Sequence, residues 1–160
     1  MNKRRIAILG STGSIGISTL EIIKKNRSNF TIELLTANNN YKKLIKQAKI
    51  FKAKNVYIKN EFFYEKVKRS LKNSNTKVYT GNVSISRIVS GKLDYTMSAI
   101  VGIAGLQPTV DAIKISKTLA IANKESIICG WSILSNLIKK YKTKILPVDS
   151  EHFSIMELTR

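Results

Sequence analysis

"RIAILGSTGSIG", residues 5–16, passes from a short β-rich run directly into glycines at 10, 13 and 16. The run reads as a strand over 5–9, and a helix is expected to begin near Ile15. A tight strand-to-helix turn needs a residue that tolerates positive φ, a diphosphate approaches closest to backbone lacking a Cβ, and a helix must lie tight on its strand. The three glycines meet these needs in turn. The helix N-terminus then offers free N–H groups and the positive end of a dipole to an anion, with Thr12 and Ser14 as hydroxyl donors. Glycines at this spacing are a weak signal alone. Their place after the first strand and before a helix is what points to a dinucleotide site. No lysine follows the last glycine, which disfavours a nucleoside-triphosphate P-loop.

Outward from this loop, apolar β-rich runs alternate with stretches of helical period. Strands are expected at 5–9, 30–36, 55–58, 77–80, 95–100, 118–122 and 144–148, and helices at 15–25, 41–51, 61–72, 83–90, 107–116 and 124–141, with Pro108 opening the fifth. The predicted fold class is α/β: a doubly wound, mostly parallel Rossmann-like sheet covered by helices on both faces. With 160 residues and 43% apolar content, the chain can bury one proper core.

The chain carries 28 Lys and Arg against 10 Asp and Glu, a formal charge of +18. The cations are spread through most expected helices without a dense block or a basic-aromatic stripe, so no nucleic-acid partner is expected. A single cysteine, Cys129, excludes an internal disulfide and suits a reducing compartment; its apolar neighbours suggest a place in the core. "IAIL" is too short for a signal peptide, and no run approaches the ~20 apolar residues of a membrane span. No membrane partner and a cytoplasmic location are expected.

The second strand addresses cofactor type. An NAD site usually ends that strand with a carboxylate about 20 residues past the loop, where it holds the ribose hydroxyls. Here the stretch is "TANNNY": Asn38, Asn39 and Asn40 leave the spot uncharged, and Lys42 and Lys43 follow. A 2′-phosphate would meet amides and cations, so NADPH is the expected cofactor. Three asparagines also suit a simple turn.

"NKES", residues 123–126, opens the long helix that follows the sixth strand. Asn123 is a good cap and Glu125 suits a first turn, whereas Lys124 opposes the helix dipole and so points to a ligand. At the next strand end, "PVDSEH" places Asp149 and Glu151 on one side of an extended chain, with Ser150 on the other. Two such carboxylates repel, which leaves three readings: a shared proton, a Mg²⁺ or Mn²⁺ ion, or simple solvation in a loop. Ser150 and His152 do not form a nucleophile–base pair, since no nucleophile elbow is present. Phe153, Ile155 and Met156 read as core.

Together, "GSTGSIG" (10–16), "AIVGIAGLQPT" (99–109), "LAIANKES" (119–126) and "LPVDSEH" (146–152), in this order and spacing, resemble the N-terminal part of the 1-deoxy-D-xylulose 5-phosphate reductoisomerase family. The resemblance implies an NADPH- and divalent-metal-dependent enzyme, with Mg²⁺ or Mn²⁺, that rearranges 1-deoxy-D-xylulose 5-phosphate and reduces the product to 2-C-methyl-D-erythritol 4-phosphate, in isoprenoid synthesis. Carried onto matching positions, Thr12, Gly13, Ser14, Ile15, Asn38, Asn39, Asn40, Asn123 and Glu125 would contact NADPH. Lys124, Ser150 and Glu151 would bind the sugar phosphate, with Lys124 and Glu151 catalytic. Asp149 and Glu151 would hold the metal.

The same resemblance implies an NADPH-binding domain over 1–148, the beginning of a metal- and substrate-binding catalytic domain at 149–160, and a homodimer for the complete enzyme. It also implies that the chain is an N-terminal fragment, able to bind cofactor without turnover. Family members commonly carry glycine and a basic residue at the positions of Asn38 and Asn39, so the 2′-phosphate contact departs from the family pattern here. Two other readings compete: a metal-free reductase for another small carbonyl compound, and a nucleotide-sensing domain without catalysis.

Overall fold

The computed structural model describes residues 3–148. Seven strands, β1 (Arg4–Leu9), β2 (Phe30–Ala37), β3 (Asn55–Ile58), β4 (Lys77–Tyr79), β5 (Leu93–Ser98), β6 (Ser116–Ile121) and β7 (Lys144–Pro147), form one sheet in the order β4-β3-β2-β1-β5-β6-β7. Every pairing is parallel. The expected doubly wound sheet is present, and wholly parallel rather than mostly so. Parallel neighbours need crossovers, supplied by α1 (Ser14–Lys25), α2 (Tyr41–Phe51), α3 (Tyr64–Ser70), α4 (Ile85–Ile88), α5 (Leu106–Ile115) and α6 (Lys124–Tyr141).

Strand alternation divides the core into two layers. Ile6 and Ile8 of β1 face Leu20 and Ile23 of α1, with Leu44 of α2 and Val67 of α3 in the same cluster. Ala7 and Leu9, one residue out of step, face the other way, with Ile85 of α4, Ile113 of α5 and Leu134 of α6. Helices α1 to α3 thus cover one face and α4 to α6 the other. The winding reverses between β1 and β5, and the C-terminal ends of these two strands diverge into a crevice.

Two of the helices start where a side chain satisfies an early N–H group. Asn40 Oδ1 accepts from Lys43 N at 3.2 Å to cap α2, and Asn123 Oδ1 accepts from Ser126 N at 2.8 Å to cap α6. In the middle of the sheet, the β1–β2 register slips by one residue and leaves Glu33 unmatched between Ile32 and Leu34. Its buried carboxylate accepts from Arg5 Nε at 3.0 Å and Lys54 Nζ at 2.8 Å, bridging β1, β2 and the loop before β3.

Most expected elements appear within two residues of their predicted bounds, with informative exceptions. The segment 61–72 begins as a 3₁₀ turn at Glu61–Phe63 and becomes α-helical only at Tyr64; 83–90 shortens to a single turn. Helix α5 begins at Leu106, so Pro108 sits inside its first turn, where its missing N–H costs nothing. Cys129 is exposed, a correction to its expected core position. Helix α6 buries Ser126, Gly130 and Leu134, a 3.6-residue stripe, and Cys129 falls off it together with Ile128 and Trp131. Apolar neighbours in sequence are not neighbours on a helix face. Among the described residues, no helix is long and apolar enough to cross a membrane.

Candidate functional site

A cavity of about 710 Å³ opens at the carboxyl ends of the strands, across the point where the winding reverses. Its floor is the glycine loop. Gly10 has φ +81°, and a Cβ there would lie 2.7 Å from Ala99 O, on the β5 side of the crevice. Gly16, one turn into α1, packs so tightly that a Cβ would meet Gly10 O and lie 2.6 Å from Ser11 Cα. Gly13 is different: the nearest atom to its Cβ position is Gly10 O at 3.5 Å. Two glycines are therefore demanded by packing and one leaves the approach from the cavity open.

The loop is held in place from beneath. Gly10 N donates to Thr36 Oγ1 and Ser11 N to Thr36 O, both at 2.9 Å. Buried Gln47 closes the network, accepting from Ser11 Oγ at 2.8 Å and donating to Ser11 O at 2.7 Å. Helix α1 has Gly13 at its N-cap, with no side-chain cap and no acidic residue in its first turn. Its first N–H groups therefore remain available to an anion. Thr12 and Gly13 line the cavity, while Ser14 and Ile15 stand exposed in that first turn.

Beyond the loop, the end of β2 contributes Thr36, Ala37 and Asn38 to the wall. The three asparagines part company here. Asn38 faces the cavity with no side-chain hydrogen bond of its own among the described residues, Asn39 Oδ1 accepts from Asn60 Nδ2 at 2.8 Å, and Asn40 caps α2. Neither Lys42 nor Lys43 lines the cavity. The end of β3 adds Tyr57 and Lys59, which the sequence reading did not single out. Tyr57 lies within β3 and Lys59 just past its end, and both line the same cavity. Burial first, and Glu61 second, raise the Tyr57 phenol above its ordinary value, and its hydroxyl donates to Gly81 O at 2.7 Å.

The far wall is Ala99–Val101 and the face of α5. Its carboxylate, Asp111, is engaged on both oxygens: Oδ2 accepts from Ser84 Oγ at 2.7 Å and Ile85 N at 3.2 Å, and Oδ1 lies 3.6 Å from Lys114 Nζ. Asp111 thus shapes the α4 loop rather than presenting free negative charge.

At the end of β6, Asn123 is buried and committed. Its Nδ2 donates to Ile100 O and, at 2.8 Å, to Gly102 O, tying the loop after β5 to the start of α6. Both amide hydrogens are used, so a ligand could be offered only the remaining acceptor capacity of Oδ1. Lys124 is exposed and Glu125 half-buried in the first turn of α6; neither lines the cavity. Asp149, Ser150, Glu151 and His152, with Phe153, Ile155 and Met156, lie outside the described residues. Among the described residues, no group of three His, Cys, Asp or Glu side chains comes together.

These features suit an elongated ligand carrying a central anion: glycines where its backbone approach is closest, an uncapped helix end, and a polar wall at the ends of β2 and β3. Comparison with known proteins agrees. The family model of 1-deoxy-D-xylulose 5-phosphate reductoisomerase matches residues 6–130. The reductoisomerase of Pelagibacter ubique is 55% identical over 157 residues, covering 97% of this chain and 40% of that protein. The solved reductoisomerase from Zymomonas mobilis, in complex with NADPH, superposes with a TM-score of 0.88 at 38% identity, covering 94% of this chain and 40% of that one. A reductoisomerase complex with NADPH, fosmidomycin and magnesium gives 0.86 at 33% identity, covering 93% and 37%. This chain therefore spans about 40% of the length of the relatives it matches, and it belongs to the 1-deoxy-D-xylulose 5-phosphate reductoisomerase family.

Proposed function

We propose that this chain is the NADPH-binding part of an enzyme that rearranges 1-deoxy-D-xylulose 5-phosphate and reduces the product to 2-C-methyl-D-erythritol 4-phosphate. The observation that carries the reading is the single cavity in which the glycine loop, the uncapped end of α1 and the uncharged end of β2 converge. Thr12, Gly13, Ser14 and Ile15 would hold the diphosphate, and Asn38 would face the adenosine ribose. Asn39, Asn40, Asn123 and Glu125 act from behind or beside the cofactor; Asn40 and Asn123 fix the two helix starts that frame it. When bound, NADPH supplies the hydride for the reduction. The protein's own task is to orient it and to exclude charge that would oppose its phosphates.

For the sugar phosphate, we propose Lys124 with Ser150 and Glu151, and for a Mg²⁺ or Mn²⁺ ion Asp149 and Glu151. Support comes from the acidic pair in the sequence and from solved family members that contain magnesium. Residues 1–148 would then form the cofactor domain and 149–160 the beginning of the catalytic one, in a cytoplasmic homodimer. Two measurements test this. Calorimetry should show NADPH binding, and the full-length gene product carrying this sequence should oxidise NADPH only with both the sugar phosphate and a divalent cation. Asp149→Asn should abolish that turnover and leave NADPH affinity intact. Turnover that survives chelation would favour the metal-free reductase.

A further inference from the structure

Recognition of a 2′-phosphate requires a cation at the ribose edge of the site, and position 39, at the tip of the β2–α2 loop, is an asparagine here. Its side chain is occupied with Asn60 at 2.8 Å. Lys42 and Lys43, next in sequence, belong to the first turn of α2 and lie off the cavity wall. Among the described residues lining the cavity, the one Lys or Arg is Lys59.

Lys59 is placed there by the sheet. Parallel pairing brings Ala37 beside Ile58, so the residues that follow each strand emerge together. The ladder continues past the strand ends: Lys59 N donates to Ala37 O at 2.9 Å and Asn60 N to Asn38 O at 3.2 Å. The Asn39–Asn60 side-chain bond closes the same junction. The backbone of Lys59 is therefore held beside Asn38, whose side-chain amide is uncommitted among the described residues. Its own ammonium forms no ion pair among the described residues. The nearest acid in sequence, Glu61, instead lies by Gly81, 3.5 Å from that residue's Cβ position. A solvent-facing cation with no internal partner, beside a free amide, is a complementary setting for a doubly charged phosphate.

We propose that Lys59, assisted by Asn38, selects the 2′-phosphorylated cofactor in this protein. The cation at the ribose edge is thus supplied from the loop after β3 and not from the loop after β2. This rests on the dinucleotide reading above and names the residue that sets its specificity.

The test is calorimetric titration of the protein and its variants with NADPH and with NADH. Lys59→Ala should weaken NADPH binding by roughly 10- to 100-fold, the loss of one charge-assisted contact, and leave NADH binding within about twofold. Lys59→Arg should keep the preference, and Lys42→Ala should leave both affinities near wild type. Retained NADH binding in Lys59→Ala doubles as the check that the variant folds. An equal loss for both cofactors, no loss for NADPH, or a preference that disappears with Lys42→Ala would each overturn the assignment to Lys59. Wild-type protein that binds neither dinucleotide would instead overturn the cofactor reading on which it stands.

Discussion

Replacing Gly16 with alanine sets two known effects against each other. In an exposed helix interior the change would stabilise by about 1 kcal/mol, because glycine is the poorer helix former. Here the new Cβ would face Gly10 O and stand 2.6 Å from Ser11 Cα, both backbone atoms that cannot rotate away. Real Cβ contacts essentially never fall under 3.0 Å, so α1 and the loop must separate by at least about 0.4 Å. That motion strains the two bonds to Thr36 that hold Gly10 and Ser11. Overpacking of this kind costs about 1–3 kcal/mol and more against a braced backbone, so the balance falls on destabilisation by about 1–2 kcal/mol. For a chain of this size, that lowers Tm by roughly 2–8 °C. Gly13→Ala is the control: its Cβ reaches only an ordinary 3.5 Å contact at negative φ, so stability should hold while NADPH affinity falls. Thermal and urea unfolding of both variants, with cofactor titrations, provide the readout. A Gly16→Ala protein as stable as wild type, or equal destabilisation at both sites, would refute the division of labour among the glycines.

Three further outcomes follow from the same geometry. Burial opposes ionisation of Glu33, but the hydrogen bonds from Arg5 and Lys54 outweigh it and hold the carboxyl below its ordinary 4.5; the stability it contributes is present above that value and is lost as pH falls further. Urea midpoints should therefore decline below about pH 4.5, and more shallowly in Glu33→Gln. Asn123→Ala removes a helix cap and strands Ile100 O and Gly102 O, so a loss of about 2–3 kcal/mol in urea unfolding is expected. Ser126 Oγ, the one buried side-chain polar atom without a partner among the described residues, should be dispensable: Ser126→Ala should be neutral or stabilising by up to about 1 kcal/mol in the same assay.

The alternation of β-rich and helical runs was enough to give the α/β class and nearly every element, because each run carries its own period, and α2 and α6 are also capped by the adjacent Asn40 and Asn123. The glycine loop was legible for the same reason: strand, turn and helix lie within one dozen residues, and their mutual fit is a short-range matter. What local patterns could not show is which residues meet across the sheet. The order β4-β3-β2-β1-β5-β6-β7 brings Asn38 and Lys59, 21 positions apart, to one wall, and it leaves Lys42 and Lys43, the nearer cations in sequence, pointing elsewhere. Likewise Cys129 sits among apolar neighbours yet faces out, since burial follows the stripe of α6 that the sheet covers. Local chemistry therefore determined the elements and the glycine loop. Which strand ends stand side by side, and hence which charges face the same cavity, was decided by parallel pairing between residues that the chain keeps far apart.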